Sequence, residues 1–414
     1  MTNDVDVVVV GAGPAGCAAA ATVARGGGRV LLADRARFPR DKCCGDGLTT
    51  AATRHLDALG LDRADVASFR PAAEFAVRSP SGRTVRFPLG EGPGVYAAVA
   101  RRNDLDAALV ALARRRGVTV REGTRCTGVA RGNGDVRVRF EGGEEIRARY
   151  VVAADGAWSP IRRMLAPPAP SAGPGRAADS RSDWIAFRTY ATGVRPAALD
   201  RLWVWFDAAL LPGYAWSFPL ADGSVNLGIY VRRGAGARAA ALWESTIAGP
   251  FAASLLGPDA VLSAPARAWP IPTRIERAGL AGLGGRVLFV GDAAGAADPL
   301  TGEGISQALE TGILAAAAIA GAPSSPGAVA DRYRAAVRRS LGRDQRVSLW
   351  CQVPLATPLG ARAALRVVDA SGFVRRNVGR WVFGDFPRAV AVMPRAWSSL
   401  VRRQPGPFAG SGDA

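Results

Sequence analysis

A run of four valines, Val7-Val8-Val9-Val10, feeds directly into Gly11-x-Gly13-x-x-Gly16 and then into an alanine-rich stretch. A continuous β-branched run reads as a parallel strand buried on both faces. The first glycine permits the tight turn, the second lets backbone approach a pyrophosphate, and the third lets helix and strand pack closely. The helix that follows, over 14–25, presents free N–H groups and a positive dipole end to that anion. Gly26-Gly27-Gly28 stops it, and Arg29-Val30-Leu31-Leu32-Ala33-Asp34 forms a second strand. Asp34 lies 18 residues after Gly16, close to the roughly 20 expected of an acid that binds a ribose hydroxyl. Strand, glycines, helix, strand and acid in this order predict a dinucleotide-binding unit.

The chain has 414 residues, 49% of them apolar, which suits two or three lobes around one cofactor. Its net charge is +18, and Lys42 is the only lysine, so arginine supplies nearly all the positive charge. This charge is either a compositional arginine bias on a solvated surface or an attraction to anionic lipid headgroups or a diphosphate. It is not a nucleic-acid footprint, because no dense basic block is interleaved with aromatics. No apolar stretch is long enough to span a membrane, and the richest, 313–322, reads as a buried helix. No signal-peptide pattern precedes the first strand. Five cysteines lack paired spacing, which predicts a reduced, cytoplasmic protein. The lone histidine, His55, excludes His-rich metal sites, so no metal is expected.

Further along, residues 38–48 read as a loop beside the cofactor, followed by a helix from Thr49 or Thr50. Residues 75–87 read as a β-hairpin around Ser79-Pro80-Ser81-Gly82. Residues 98–106 open a helix that reaches Arg116. Short strands follow at 118–121, 126–131, 136–140 and 146–149. Residues 150–154 form another buried strand, ending in Asp155-Gly156, with Ser159 as a helix N-cap. Residues 167–175 look like a flexible crossing between lobes. Strands at 184–192, 201–206, 214–218 and 224–230 predict an aromatic-rich antiparallel sheet. A third buried strand, 286–290, ends in Gly291-Asp292 and leads through Gly302-Glu303-Gly304-Ile305 to a helix reaching Ala320. Asp292 at a strand tip can accept a ribitol hydroxyl, and the N–H groups of Gly304 and Ile305 can face an electron-rich flavin edge. Residues 341–404 read as amphipathic arginine-rich helices, and 405–414 as a disordered tail.

Three strand-end motifs in this order resemble the flavoprotein superfamily sharing the para-hydroxybenzoate hydroxylase fold. Within it the chain is similar to the geranylgeranyl reductase family, and its C-terminal helices to those of actinobacterial menaquinone reductases. The resemblance rests on Phe38-Pro39-Arg40-Asp41-Lys42-Cys43-Cys44-Gly45-Asp46-Gly47, Arg102-x-x-Leu105-Asp106, Pro212-Gly213-Tyr214-Ala215-Trp216-Ser217-Phe218-Pro219, and Gly291-Asp292-Ala293-Ala294-Gly295 with Pro299-Leu300-Thr301-Gly302-Glu303-Gly304-Ile305. It implies an α/β (α+β) fold: a Rossmann-like FAD-binding domain in three parts (1–75, 98–178, 275–340), a hairpin (76–97) and antiparallel β-sheet (179–274) forming the substrate domain, and C-terminal helices. It also implies FAD. Gly11, Gly13, Ala15 and Gly16 would meet the pyrophosphate, Asp34 and Arg35 the adenosine ribose, and Arg102 the phosphates. Cys126 would meet the adenine through its backbone. Cys44, Gly45 and Gly47 would line the flavin loop, and Asp155, Asp292, Gly302, Gly304 and Ile305 would complete the site. Cys43 departs from the family, where many members carry proline.

Reducing an isolated C=C bond needs a hydride from the flavin and a proton on the other carbon. Cys44 and Tyr214 are the candidate donors. Cys44 is either that donor or a small packed residue; Tyr214, Trp216 and Phe218 are either the wall of an isoprenoid tunnel or plain core aromatics. Cys17, Cys126 and Cys351 read as buried small hydrophobes. The leading expectation is an FAD-dependent oxidoreductase that reduces polyprenyl double bonds on a quinone side chain, a prenyl diphosphate or a lipid. The alternative is a monooxygenase that hydroxylates or epoxidises a hydrophobic natural product through a flavin C4a-hydroperoxide. No second nucleotide motif follows a strand, leaving NAD(P)H or a reduced ferredoxin as external electron donor. The arginine-rich helices point to peripheral membrane contact.

Overall fold

The computed structural model describes residues 4–90, 92–166, 183–233, 237–321, 325–387 and 405–409. Val5–Val10 lies between Glu145–Ala153 and Val30–Ala33, parallel to both, and Val287–Phe289 extends the sheet beyond Glu145–Ala153. Val7, Val8 and Val9 are fully buried, as a strand flanked on both edges and covered on both faces requires. The helix Pro14–Arg25 packs on Ile305–Ala320. A Cβ on Gly312 would lie 2.2 Å from the Ala15 carbonyl oxygen, so these helices cross nearly backbone to backbone. The alanine run of the first helix is what permits that approach.

The second sheet runs Val261–Leu262, Trp184–Thr192, Val225–Arg232, Tyr214–Pro219, Leu202–Trp205, Glu74–Arg78, Thr84–Pro88, with Arg267–Ile271 also paired to Trp184–Thr192. All its pairings are antiparallel except Leu202–Trp205 with Glu74–Arg78. The hairpin of the first third of the chain is thus the far edge of a sheet built mostly from residues beyond 183. Its period of two separates the faces. Leu227, Ile229 and Val231 point back, packing with Phe251 and Leu255. Asn226, Gly228 and Tyr230 point forward, opposite Phe218, Trp216 and Tyr214.

Three helices, Pro326–Leu355, Pro358–Asp369 and Gly372–Val382, close the chain's last third. Their N-caps Ser325, Thr357 and Ser371 accept hydrogen bonds of 3.1–3.2 Å from the backbone N–H three residues on, as capping predicts. A Cβ on Gly360 would fall 1.9 Å from the Pro354 carbonyl oxygen, so the second helix starts hard against the end of the first. No described helix is long and apolar enough to cross a membrane.

Several sequence expectations change. Ala98–Val99 is a strand, and the helix starts at Arg102 because Arg101 is its extended N-cap. The strands expected at 146–149 and 150–154 are one, Glu145–Ala153. The tail is not disordered over 405–409: Val95 N–H donates to the Pro407 carbonyl at 2.9 Å, and Phe408 packs edge-on against Phe69. The local composition hid this, since the segment's partners lie more than 300 residues earlier. The crossing expected at 167–175, and residues 388–404 of the expected helices, lie outside the described residues.

Candidate active site

Gly11 has φ +103°, and a Cβ there would lie 2.3 Å from the Ala154 carbonyl oxygen. Gly13 differs: the nearest atoms to its would-be Cβ are Arg40 Nη2 at 3.7 Å and Arg102 Nη2 at 3.9 Å. The open side of the loop therefore faces two guanidinium groups. Arg102 donates from Nε and Nη2 to both oxygens of Asp106, at 2.9 and 2.8 Å, and Asp106 is 0% exposed. Arg40 Nη1 lies 2.9 Å from the same carboxylate yet is a buried atom without a hydrogen bond. Two cations against one carboxylate, an unsatisfied donor and a helix N-terminus fit a pyrophosphate. Asp34 accepts from Ala12 N–H at 2.7 Å and Ala36 N–H at 2.8 Å, bracing the loop, while Arg35 is exposed.

The loop 41–47 carries Cys44 to the front of the second sheet. The Cys44 carbonyl accepts from Asn226 Nδ2 at 2.8 Å, and Asp46 N–H reaches Cys44 Sγ at 3.4 Å. Burial pushes the Cys44 thiol up, against the pull of Arg102, so Sγ holds its proton. Asp46 is fully buried at φ 60°. Its Oδ2 accepts from Tyr190 Oη at 2.7 Å and Asn226 Nδ2 at 2.8 Å, while Oδ1 has no partner. Asn226 Oδ1 in turn accepts from Trp216 Nε1 at 2.9 Å, fixing the indole. The ring lies over Gly228, where a Cβ would be 2.2 Å from Trp216 Cζ2, and beside Gly45. Tyr214 donates its hydroxyl proton to the Thr301 carbonyl.

One cavity of about 470 Å³ joins these parts. Gly13, Ala15, Cys44, Gly45, Gly47 and Arg102 line one end, and Gly156, Asp292, Gly302, Gly304 and Ile305 the wall beside it. Tyr214, Trp216 and Phe218 form its aromatic side, and inward residues of the three C-terminal helices its far end.

Residues 4–222 match the FAD binding domain family. The chain is 32% identical to a menaquinone reductase of Mycobacterium tuberculosis, over 98% of this chain and 99% of that one. The chain belongs to the geranylgeranyl reductase family of FAD-dependent oxidoreductases. A digeranylgeranylglycerophospholipid reductase of Methanothrix thermoacetophila is 29% identical over 77% of this chain and 78% of that one. The fold is that of a geranylgeranyl bacteriochlorophyll reductase-like protein of Thermoplasma acidophilum, with TM-score 0.74, 22% identity and coverage of 96% and 99%.

In this geranylgeranyl reductase-type flavoenzyme, Gly11, Gly13, Ala15 and Gly16 with Arg40 and Arg102 would hold the FAD pyrophosphate. Asp155 stands apart from that set. Its oxygens accept from Ser159 Oγ at 2.7 Å and Ile161 N–H at 2.9 Å, capping the helix Pro160–Leu165; the neighbouring Gly156 lines the cavity. Asp292 pairs with Lys42 Nζ at 3.1 Å, so the sole lysine sits in the cavity wall. Cys126 starts a strand with Sγ toward the Gly128 carbonyl. Cys17 is buried as expected, but Cys351 is half-buried and lines the cavity, because its helix turns that face inward.

Sequence reading passed over Arg40, Asp46, Tyr190 and Asn226. The available signals were a polar Asn226 in an apolar strand and an acid beside Gly45. Replacing Asp46 with asparagine should flatten the pH dependence of stability. Burial pushes its carboxyl from 3.8 up to about 6. Between those values the folded chain holds a proton that the unfolded chain releases, so stability falls as pH rises through that window. The loss, complete above about pH 6, is on the order of 3 kcal/mol. Urea denaturation of both proteins near pH 4 and near pH 7 checks this; equal slopes would show that another group titrates.

Proposed function

We propose that this enzyme reduces carbon–carbon double bonds of a polyprenyl chain on a quinone, prenyl diphosphate or lipid. The observation that carries the reading is the single cavity running from the glycine loop, past Cys44 and Trp216, into an apolar chamber between sheet and helices. Aromatic and aliphatic side chains of the sheet and the C-terminal helices, among them Phe75, Val204, Trp216, Leu365 and Val382, line the chamber and suit an isoprenoid. Two relatives with names of isoprenoid-lipid or quinone reductases, the menaquinone and digeranylgeranylglycerophospholipid enzymes, support it.

FAD, when bound, supplies the hydride equivalent. The chain's own residues do the rest. Trp216, anchored by Asn226, and Phe218, packed against Gly47, present a flat apolar wall beside the flavin loop. Cys44 holds a proton at Sγ next to that wall and is the group placed to give it to the second alkene carbon. Tyr214 is the weaker donor, because its proton is already committed to the Thr301 carbonyl. NAD(P)H or a reduced ferredoxin would reload the flavin.

The test is a single turnover without oxygen. The reduced holoenzyme is mixed with a menaquinone, and the product mass and flavin oxidation are followed. Reoxidation with a gain of two hydrogens that survives air reoxidation of any quinol, and that fragmentation places on the polyprenyl chain, supports the reading. A flavin that stays reduced until oxygen enters, with oxygen then appearing in the product, overturns it for the monooxygenase. Cys44→Ala should lower kcat about a hundredfold, with KM little changed. A rate within threefold of wild type would remove Cys44 as donor.

A further inference from the structure

Five of the large apolar side chains with most exposure lie within 24 residues of one another: Trp350, Val353, Leu359, Val367 and Phe373, from 58% exposed (Phe373) to 77% (Leu359). The remaining exposed ones among the described residues are split between the neighbourhood of Pro160–Leu165 and the edge strand Val261–Leu262. Single exposed apolar residues need no explanation, but a cluster does. This cluster is also basic. No aspartate or glutamate occurs between Asp344 and Asp369, whereas Arg346, Arg362 and Arg366 do. Arg362 and Arg366 are exposed and make no ion pair among the described residues. On Pro358–Asp369, Leu359, Arg362, Arg366 and Val367 share one stripe at spacings of three, seven and eight.

The opposite stripe of the same helix is the cavity wall. Ala361 and Leu365 are buried, and Ala364, Leu365 and Val368 line the chamber. Pro354 is at once exposed to solvent and part of the lining, so the barrier between chamber and surface is one residue thick there. As an interior helix proline it also leaves the last turn of Pro326–Leu355 one backbone hydrogen bond short.

We propose that the outer face of the C-terminal helices, from Trp350 to Phe373, docks on an anionic lipid bilayer, and that the chamber is loaded through the thin wall at Pro354. The docking part stands on exposure and charge alone; the loading part rests on the polyprenyl reading above. Apolar side chains enter the headgroup–acyl boundary while arginines stay at headgroup level, the arrangement of an interfacial helix. A polyprenyl chain then passes from hydrocarbon to hydrocarbon without crossing water. The partner is a membrane rather than an acidic protein because the same face carries both exposed large apolar side chains and exposed arginines, which match a hydrocarbon layer under an anionic headgroup layer.

The purified FAD-loaded full chain is sedimented with vesicles of phosphatidylcholine alone and of phosphatidylcholine with phosphatidylglycerol, at low and at physiological salt. Binding to the anionic vesicles, weakened by salt, is expected. Arg362→Gln with Arg366→Gln should lower the partition coefficient about thirtyfold. Trp350→Ser with Leu359→Ser and Phe373→Ser should lower it about tenfold or more. Thermal midpoints of both variants are measured alongside, and they stay at the wild-type value because every changed side chain is exposed. Wild type that remains in the supernatant at low salt, or variants that partition like wild type, would overturn the proposal. So would a two-chain mass by light scattering that drops to one in the serine variant without any vesicle binding, which would make this face a contact between copies. Turnover of a detergent-dispersed menaquinone is followed in parallel and is unchanged in both variants. Its absence from wild type would sink the reductase reading while leaving the vesicle result to decide the docking.

Discussion

Gly16→Ala yields a protein that no longer holds FAD. A Cβ at that position would lie 1.8 Å from the Gly11 carbonyl oxygen and 3.1 Å from Ala154 Cβ. Neither can yield, because Gly11 ends the central strand and Ala154 follows the strand beside it. The first helix must therefore back away from the sheet, carrying the N–H groups that face the pyrophosphate out of reach. Overpacking of this kind costs about 1–3 kcal/mol in stability, and FAD affinity should fall by more than about a hundredfold. Gly13→Ala is the instructive companion. Its Cβ meets nothing closer than 3.7 Å, so the fold survives with an unchanged thermal midpoint while cofactor affinity drops. Flavin absorbance after desalting, and titration of the apoprotein with FAD, measure both. A yellow, fully loaded Gly16→Ala enzyme would refute the account.

The second large effect is expected at Arg102. Arg102 is 4% exposed, and its guanidinium forms a two-pronged pair with Asp106, which is fully buried. Burial alone would lower its pKa, but the Asp106 carboxylate more than reverses that and holds the charge firmly. Arg102→Met leaves the carboxylate with only the misaligned Arg40, so a loss of about 3 kcal/mol is expected from removing one partner of a buried pair. Adding Asp106→Leu should recover most of that stability, since two apolar groups replace two charges. It should not recover FAD affinity, because one of the two cations beside Gly13 stays absent. Urea denaturation and FAD titration of the single and double variants separate the two roles. A single variant within about 1 kcal/mol of wild type would show that the pair contributes little.

Features legible in the sequence were those carried by short periodicities. Tyr214, Trp216 and Phe218 alternate along one strand and share one face of the sheet. The valine run, the glycines and Asp34 lie within thirty residues and fold as one unit. The rest depended on juxtapositions that no local pattern encodes. Asp46 meets Tyr190 and Asn226 across 144 and 180 residues, and Lys42 meets Asp292 across 250. A strand-end acid followed by Ser159 fits a ligand contact and a helix cap equally, and the structure shows Asp155 accepting from Ser159 Oγ and Ile161 N–H at the start of that helix.

The sheet order has a consequence for how the chain is made. Val5–Val10 is flanked by Val30–Ala33 and Glu145–Ala153, and the latter is completed by Val287–Phe289. At synthesis rates of about 5–20 residues per second, the first strand waits on the order of ten seconds for its second neighbour, and that neighbour waits as long again for the next. Through both intervals an apolar strand edge stands open on the ribosome-bound chain. Anything that shields that edge during synthesis should therefore raise the yield of folded enzyme.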